Sequence, residues 1–238
     1  MQALILAGGK GTRLMPYTAN LPKPLMPIGN IPILEILVRQ LKASGIKKII
    51  MAVGYLNHMI EAYFGDGSDF DISIKYSLEK KPLGTAGPIG LVYDDLDEDF
   101  IVLNGDLLTT INFKNIYKAH LNKKAAATIA TFSRKVIIDF GVLELSDEAE
   151  LKSYTEKPTY DYKVSMGINV FNKKAIGCFI KKNEYLDIPK LMMLLKNNGD
   201  KVLSYQEDCK WLDIGRVDDY QKAVKIFSKN KKVFLPVT

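Results

Sequence analysis

The chain opens on the apolar run Ala3-Leu4-Ile5-Leu6-Ala7, which passes directly into Gly8-Gly9-Lys10-Gly11-Thr12-Arg13-Leu14. An aliphatic strand that ends in clustered glycines puts backbone N–H groups where an anion can approach them closely. Two cations follow within reach: Arg13, and Lys23 held between prolines in Leu21-Pro22-Lys23-Pro24. Such a beginning builds a site for a polyphosphate.

Strand-like and helix-like segments alternate after it. Lys48 to Val53, Ile72 to Tyr76, Phe100 to Leu103 and Ala125 to Phe132 read as strands. Ile33 to Ser44 has apolar residues at helical spacing with Gly45 as a stop, and His58 to Phe64 and Phe113 to Asn122 also read as helices. Further on, Gly141 to Leu145 and Val164 to Phe171 read as strands and Ile188 to Lys196 as a helix. Val217, Tyr220, Val224 and Phe227 then fall at helical spacing in a closing helix. The alternation implies an α/β fold with a doubly wound, mostly parallel (mixed) sheet in a single domain. Residues 1–110 would form a Rossmann-like nucleotide-binding half and residues 111–238 the second half.

The glycine turn fits neither common phosphate motif. In Walker A, G-x-x-x-x-G-K-[ST], a hydroxyl residue follows the lysine, whereas Lys10 is followed by Gly11. The dinucleotide pattern G-x-G-x-x-G, aligned on Gly9 and Gly11, needs a glycine where Leu14 stands. That failed spacing counts against a Rossmann-type oxidoreductase.

The run LILAGGKGTRLMPYT (Leu4 to Thr18), followed by LPKPL (Leu21 to Leu25), resembles the signature of the sugar-phosphate nucleotidyltransferases, or nucleotide-sugar pyrophosphorylases. The likeness continues through most of the chain. It implies that Leu6, Gly8, Gly9, Gly11 and Thr12 wrap a nucleoside triphosphate while Arg13 and Lys23 neutralise its phosphates during transfer. Lys10 occupies the variable slot and receives no role. The likeness also implies that the segment from Glu79 through Pro82, Gly84 and Thr85 reads the base.

Transfer between two polyanionic reactants needs a divalent cation held by carboxylates. The candidate ligands are Asp106, directly after an apolar strand in Leu103-Asn104-Gly105-Asp106, and Asp213 in Trp211-Leu212-Asp213-Ile214-Gly215. Both segments resemble the family's metal-binding motifs, and the cation implied is Mg²⁺. No protein nucleophile is required, because the attacking sugar phosphate is already anionic. Glu156-Lys157-Pro158 resembles the family's sugar-phosphate motif, in which the lysine meets the phosphate and the glutamate the sugar hydroxyls. Gly141 and Gly167 match glycines of the same half.

The stretch Ser165-Met166-Gly167-Ile168-Asn169 departs from the family's N-x-G-[IL]-[YF]. Serine replaces an asparagine that reaches a sugar hydroxyl, and asparagine stands where an aromatic is common. Glu79 departs too, since thymidylyl- and uridylyltransferases commonly carry glutamine there. An ionised carboxylate only accepts hydrogen bonds, and guanine offers two adjacent donors. The phrase P-L-G-T-A-G-P is similar to that of mannose-1-phosphate guanylyltransferases. GTP with mannose or manno-heptose 1-phosphate is therefore favoured. Thymidylyl, uridylyl or cytidylyl transfer to glucose 1-phosphate or another sugar phosphate is the alternative. A non-catalytic, nucleotide-sugar-binding regulatory homologue is a rival from another class, although Arg13, Lys23, Asp106 and Asp213 are all present.

Composition excludes little beyond this. A net charge of +6 is spread over scattered lysine pairs such as Lys47-Lys48 and Lys123-Lys124, the pattern of a solvated surface rather than a nucleic-acid face. Cys178 and Cys209 form no C-x-x-C, so thiols in a reducing cytoplasm are expected. No apolar run is long enough for a membrane helix, and the expectation is a bare domain with neither a signal peptide nor a hexapeptide-repeat β-helix. His58 and His120 fall in polar helical segments and are expected on the surface. Relatives imply a homo-oligomer as one possibility.

Overall fold

The computed structural model describes residues 1–235. Its first half contains β1 (Gln2–Ala7), β2 (Pro27–Ile28), β3 (Ile31–Pro32), α1 (Ile33–Ala43), β4 (Lys48–Val53), α2 (Asn57–Phe64), β5 (Ser73–Leu78), α3 (Gly87–Val92), β6 (Asp99–Asn104) and β7 (Leu107–Thr109). Then follow α4 (Phe113–Lys123), β8 (Ala127–Ile137), β9 (Val142–Leu145), β10 (Leu151–Thr155), β11 (Thr159–Asn172), α5 (Lys173–Ile176), α6 (Ile188–Asn197), β12 (Val202–Tyr205), β13 (Trp211–Asp213) and α7 (Val217–Phe234).

Seven strands form one sheet in the order β12-β8-β11-β6-β1-β4-β5. Strands β5, β4, β1 and β6 are parallel, as are β8 and β12, while β11 runs against both β6 and β8. The chain steps outward from β1 to β4 and β5, then returns to β6 on the other side of β1. That reversal opens a crevice at the carboxyl ends of these strands. The mixed α/β sheet expected from the alternation is the one observed.

Helices cover both faces, which is why β1 is apolar from Ala3 to Ala7. Ala3, Ile5 and Ala7 pack with Leu34 and Leu37 of α1, Ile60 of α2 and Ile116 of α4. Leu4 packs on the opposite face with Ile89 of α3 and Leu191 of α6. A third cluster joins Leu14, Met26, Leu108 and Ile214 under Ala223, Phe227 and Phe234 of α7. Leu14 adjoins Arg13 and Ile214 adjoins Asp213, so α7 fixes the backbone on which both of those charges stand.

The expected elements form within a few residues of their expected ends, with one large difference. Strands β8 and β11 run on past the sheet as a two-stranded arm, paired from Ser133–Lys163 to Ile137–Thr159, and the β9–β10 hairpin continues it. Alternation fails as a signal there because neither face of the arm is buried; Ile137 and Phe140 are exposed.

His58 is exposed as expected, but the expectation for His120 is corrected. His120 is only 1% exposed, with Nδ1 2.9 Å from Thr128 Oγ1 and Nε2 3.2 Å from Asp99 Oδ1. Both ring nitrogens are matched, which makes burial tolerable. The polar sequence of α4 concealed the one polar side chain that turns inward. Burial pushes the His120 pKa down, opposed by the hydrogen bond and charge of Asp99.

The unfolded chain takes up a proton below about pH 6.5, whereas the folded imidazole resists it. Stability should therefore fall as pH drops through that value and level off below the lowered folded-state pKa. Thermal melts on either side of it should show the drop in the wild type and a flatter profile in His120→Gln. Identical profiles would assign the drop to other groups.

Among the described residues no helix is long and apolar enough to cross a membrane, and both cysteines are free.

Candidate functional site

The turns that follow β1, β4, β5 and β6 surround a cleft of about 710 Å³ at the carboxyl ends of those strands. All the residues expected to hold the nucleotide line it: Leu6, Gly8, Gly9, Gly11, Thr12, Arg13, Lys23, Glu79, Pro82, Gly84 and Thr85. Asp106 lines it as well. A second cleft of about 260 Å³ adjoins it and is lined by Ser165, Gly167 and Asp213. Thr85 and Asn104 border both clefts.

Close approach explains the glycine after β1. A Cβ at Gly8 would lie 2.8 Å from Glu79 Oε1 and 3.4 Å from the amide nitrogen of Gly54. The tighter backbone approach is at Gly54, where a Cβ would lie 2.9 Å from the Gly8 carbonyl oxygen, so the ends of β1 and β4 come together because that atom is absent. Glu79 sits over the turn, half-buried, and Oε2 accepts the Leu83 N–H at 3.4 Å. Burial pushes its carboxyl pKa up, and the Leu83 amide offsets this in part. Thr85 is committed to the protein itself. Its amide and hydroxyl meet Asp187 Oδ1 at 3.0 and 3.2 Å, and its hydroxyl accepts the Ile188 N–H at 2.8 Å. It therefore ties the first cleft to the start of α6.

At the other end of the first cleft Lys23 is buried and ion-paired with Asp106 Oδ2. Asp106 Oδ1 is buried with no hydrogen-bond partner among the described residues. An orphaned carboxylate oxygen costs free energy until a donor or a cation meets it. Asp213 is brought to it by strand pairing, since β13 lies antiparallel to β7 with Asp213 opposite Leu107. The protein crowded around Asp213 and the charge of Asp106 push its carboxyl pKa up, while Lys23 and Arg13 pull it down. A carbon added at Gly215 would lie 3.5 Å from Arg13 Nη1 and 3.6 Å from Asp213 Oδ2, so these two charges flank one point.

Two neighbouring carboxylates, one with an unmet oxygen, suit a hard divalent cation that keeps water and phosphate oxygens as its other ligands. Among the described residues no group of three or more His, Cys, Asp and Glu gathers. Such a cation would draw part of its shell from a substrate.

In the second cleft, Gly167 has φ +71° at the point where β11 slips register against β8, between Ser165 and Asn169. A Cβ there would lie 2.7 Å from Asn104 Nδ2. Trp211 Nε1 donates to the Met166 carbonyl at 3.1 Å and steadies this bulge. Gly141, Glu156 and Lys157 lie on the arm and line neither cleft. There the Tyr154 hydroxyl occupies the space beside Gly141 and donates to Glu156 Oε2 at 3.3 Å.

Sequence reasoning does not single out Tyr55, Ile188 or Pro189, yet they line the clefts. Lys10, Lys80 and Lys81 add cations to the first cleft. Tyr55 follows β4 as the glycine turn follows β1, and that position was the available signal. The start of α6 carries none.

The family model described as nucleotidyl transferase matches residues 2–230. The UTP–glucose-1-phosphate uridylyltransferase of Synechocystis is 33% identical over 94% of this chain and 63% of its own length. The chain thus spans less than two thirds of that relative. The D-glycero-α-D-manno-heptose 1-phosphate guanylyltransferase of Aneurinibacillus thermoaerophilus is 32% identical over 94% of this chain and 97% of its own. Among solved structures, a Bacillus anthracis chain provisionally described as a glucose-1-phosphate thymidylyltransferase superposes with a TM-score of 0.77 at 25% identity, covering 95% of this chain and 94% of that one. A shared architecture and a family match over nearly the whole length lead to one conclusion: the chain belongs to the nucleotidyl transferase family.

Proposed function

We propose that this chain joins a sugar 1-phosphate to a nucleoside triphosphate, giving a nucleoside diphosphate sugar and pyrophosphate. One observation carries the reading: the glycine turn, Arg13, Lys23 and Asp106 line one cleft and Asp213 lines the cleft that adjoins it, an arrangement that suits two phosphate-bearing substrates. The phosphate oxygen of the sugar attacks the α-phosphorus in line, and the bond to the pyrophosphate breaks. Backbone amides of the turn cradle the triphosphate. Arg13 grips phosphate oxygens with a planar fork, and Lys23 acts as a buried point charge. Asp106 and Asp213 would hold Mg²⁺, which supplies charge neutralisation at the reacting phosphate. Catalysis then rests on positioning and preorganised charge. Gly141, Glu156 and Lys157 would reach the sugar phosphate from the arm. The need for a nucleoside triphosphate supports a cytoplasmic setting for the reaction.

The favoured pair is GTP with mannose 1-phosphate or a manno-configured heptose 1-phosphate. Glu79 at the mouth of the first cleft supports the base, and the name of the Aneurinibacillus relative supports both. The names of the uridylyl relative and the thymidylyl neighbour support the alternative, a pyrimidine nucleotide with glucose 1-phosphate. Pyrophosphate release, measured for GTP, dTTP, UTP, CTP and ATP against a panel of sugar phosphates, tests the reading. Absence of turnover with every pair in Mg²⁺ would overturn it.

Glu79→Gln separates the bases. An ionised carboxylate accepts both guanine donors, and an amide accepts only one. The substitution should lower kcat/KM for GTP about tenfold and raise the relative rate with UTP or dTTP. Because the Glu79 pKa is raised, KM for GTP should climb as pH falls toward it. The Gln variant should lose that pH dependence. An unchanged nucleotide preference would remove Glu79 from base recognition.

A further inference from the structure

The second cleft holds a polar group that the fold does not use. Asn169 lies near the end of β11, between Val102 of β6 and Ile129 of β8. Val102 belongs to the apolar cluster beneath α3 and α6, and Ile129 packs against it. Asn169 is 1% exposed, and its Oδ1 has no hydrogen-bond partner among the described residues. It nevertheless lines the cleft together with Ile188 and Pro189 of α6. A buried amide oxygen left unmet is destabilising, and a leucine of similar shape would remove that cost. Ser165 lines the same cleft, but its Oγ turns to the Gly167 N–H at 3.4 Å, so its short side chain is partly spent on the backbone. The other walls set apolar Leu107, Met166, Ile188 and Pro189 beside Thr85, Asn104 and Asp213. In such a pocket a few polar atoms fix the orientation of what enters.

We propose that Asn169 determines sugar specificity, its Oδ1 accepting a hydrogen bond from a ring hydroxyl of the sugar 1-phosphate. This rests on the nucleotidyltransferase reading and sharpens it. The substrate must carry a hydroxyl donor at the ring position facing Asn169, and the analogue deoxygenated there is rejected because the amide oxygen stays unmet.

Asn169→Leu and the smaller Asn169→Ala, assayed with the best substrate pair and with monodeoxy analogues of its sugar, test the proposal. The expected result is a roughly ten- to hundredfold fall in kcat/KM, carried mainly by KM for the sugar phosphate, with KM for the nucleotide unchanged. One deoxy analogue should be poor for the wild type and no poorer for the variants. The ligand-free Leu variant should melt at or above the wild-type temperature, whereas a structural asparagine would lower it. A lower melting temperature together with an unchanged KM for the sugar phosphate overturns the proposal and leaves the nucleotidyltransferase reading intact. So does an equal penalty for every deoxy analogue in wild type and variants. No turnover by the wild type with any pair overturns both.

Discussion

Asp106→Asn is expected to lower turnover by about a thousandfold or more, at any Mg²⁺ concentration, while the protein still folds. Among the described residues the carboxylate is the one ionic partner of buried Lys23, and its other oxygen is buried with no hydrogen-bond partner. The amide keeps the shape of the side chain and loses the charge that would hold a cation between the two substrates. Asp213→Asn should be comparably inactive, yet the two variants should differ in stability. Asp106→Asn strands the Lys23 ammonium in a buried position and should lower the melting temperature. The Asp213 carboxylate is disfavoured where it stands, by the protein crowded around it and then by Asp106. Neutralising it should leave the melting temperature unchanged or raise it. Activity within tenfold of the wild type in both variants would refute the assignment of these carboxylates.

Lys23→Met should cost about a hundredfold in turnover and about 3 kcal/mol of stability. The methionine keeps most of the buried aliphatic stem of Lys23, so the loss is of charge rather than of packing. Asp106, without its cation and with Asp213 nearby, would then carry uncompensated negative charge. A divalent cation should therefore raise the melting temperature of Lys23→Met more than that of the wild type. Arg13→Ala should depress turnover to a similar degree with little change in melting temperature, because Arg13 is exposed. Equal metal-induced stabilisation of Lys23→Met and wild type would show that lysine and metal do not share the carboxylate.

Much of this site was legible before any fold was known. The residues of the glycine turn are consecutive, and their chemistry is local: apolar side chains demand burial, and missing Cβ atoms permit close approach. Glu79, Pro82, Gly84 and Thr85 came to the same cleft because they follow β5 as the glycine turn follows β1. The position after a strand in an α/β sheet is itself information. Other features lacked any local trace. His120 looks like one more polar residue on a polar helix, and only Thr128 and Asp99, supplied by other strands, explain why it turns inward. The arm formed by β8 and β11 has no buried face and so no alternation to read.

The alternation of strands and helices and the glycine turn that follows the first strand were determined by the sequence alone, since both follow from short-range patterning. Tertiary structure alone decided how the pieces meet. Pairing of β13 with β7 sets Asp213 beside Asp106, and the third core under α7 holds the segments that carry Arg13 and Asp213. The same long-range packing buries the Asn169 amide in the wall of a cleft and leaves its oxygen without a partner among the described residues. Spacing cannot reveal such an unmet atom, because whether an acceptor finds a donor depends on strands and helices far away in the chain.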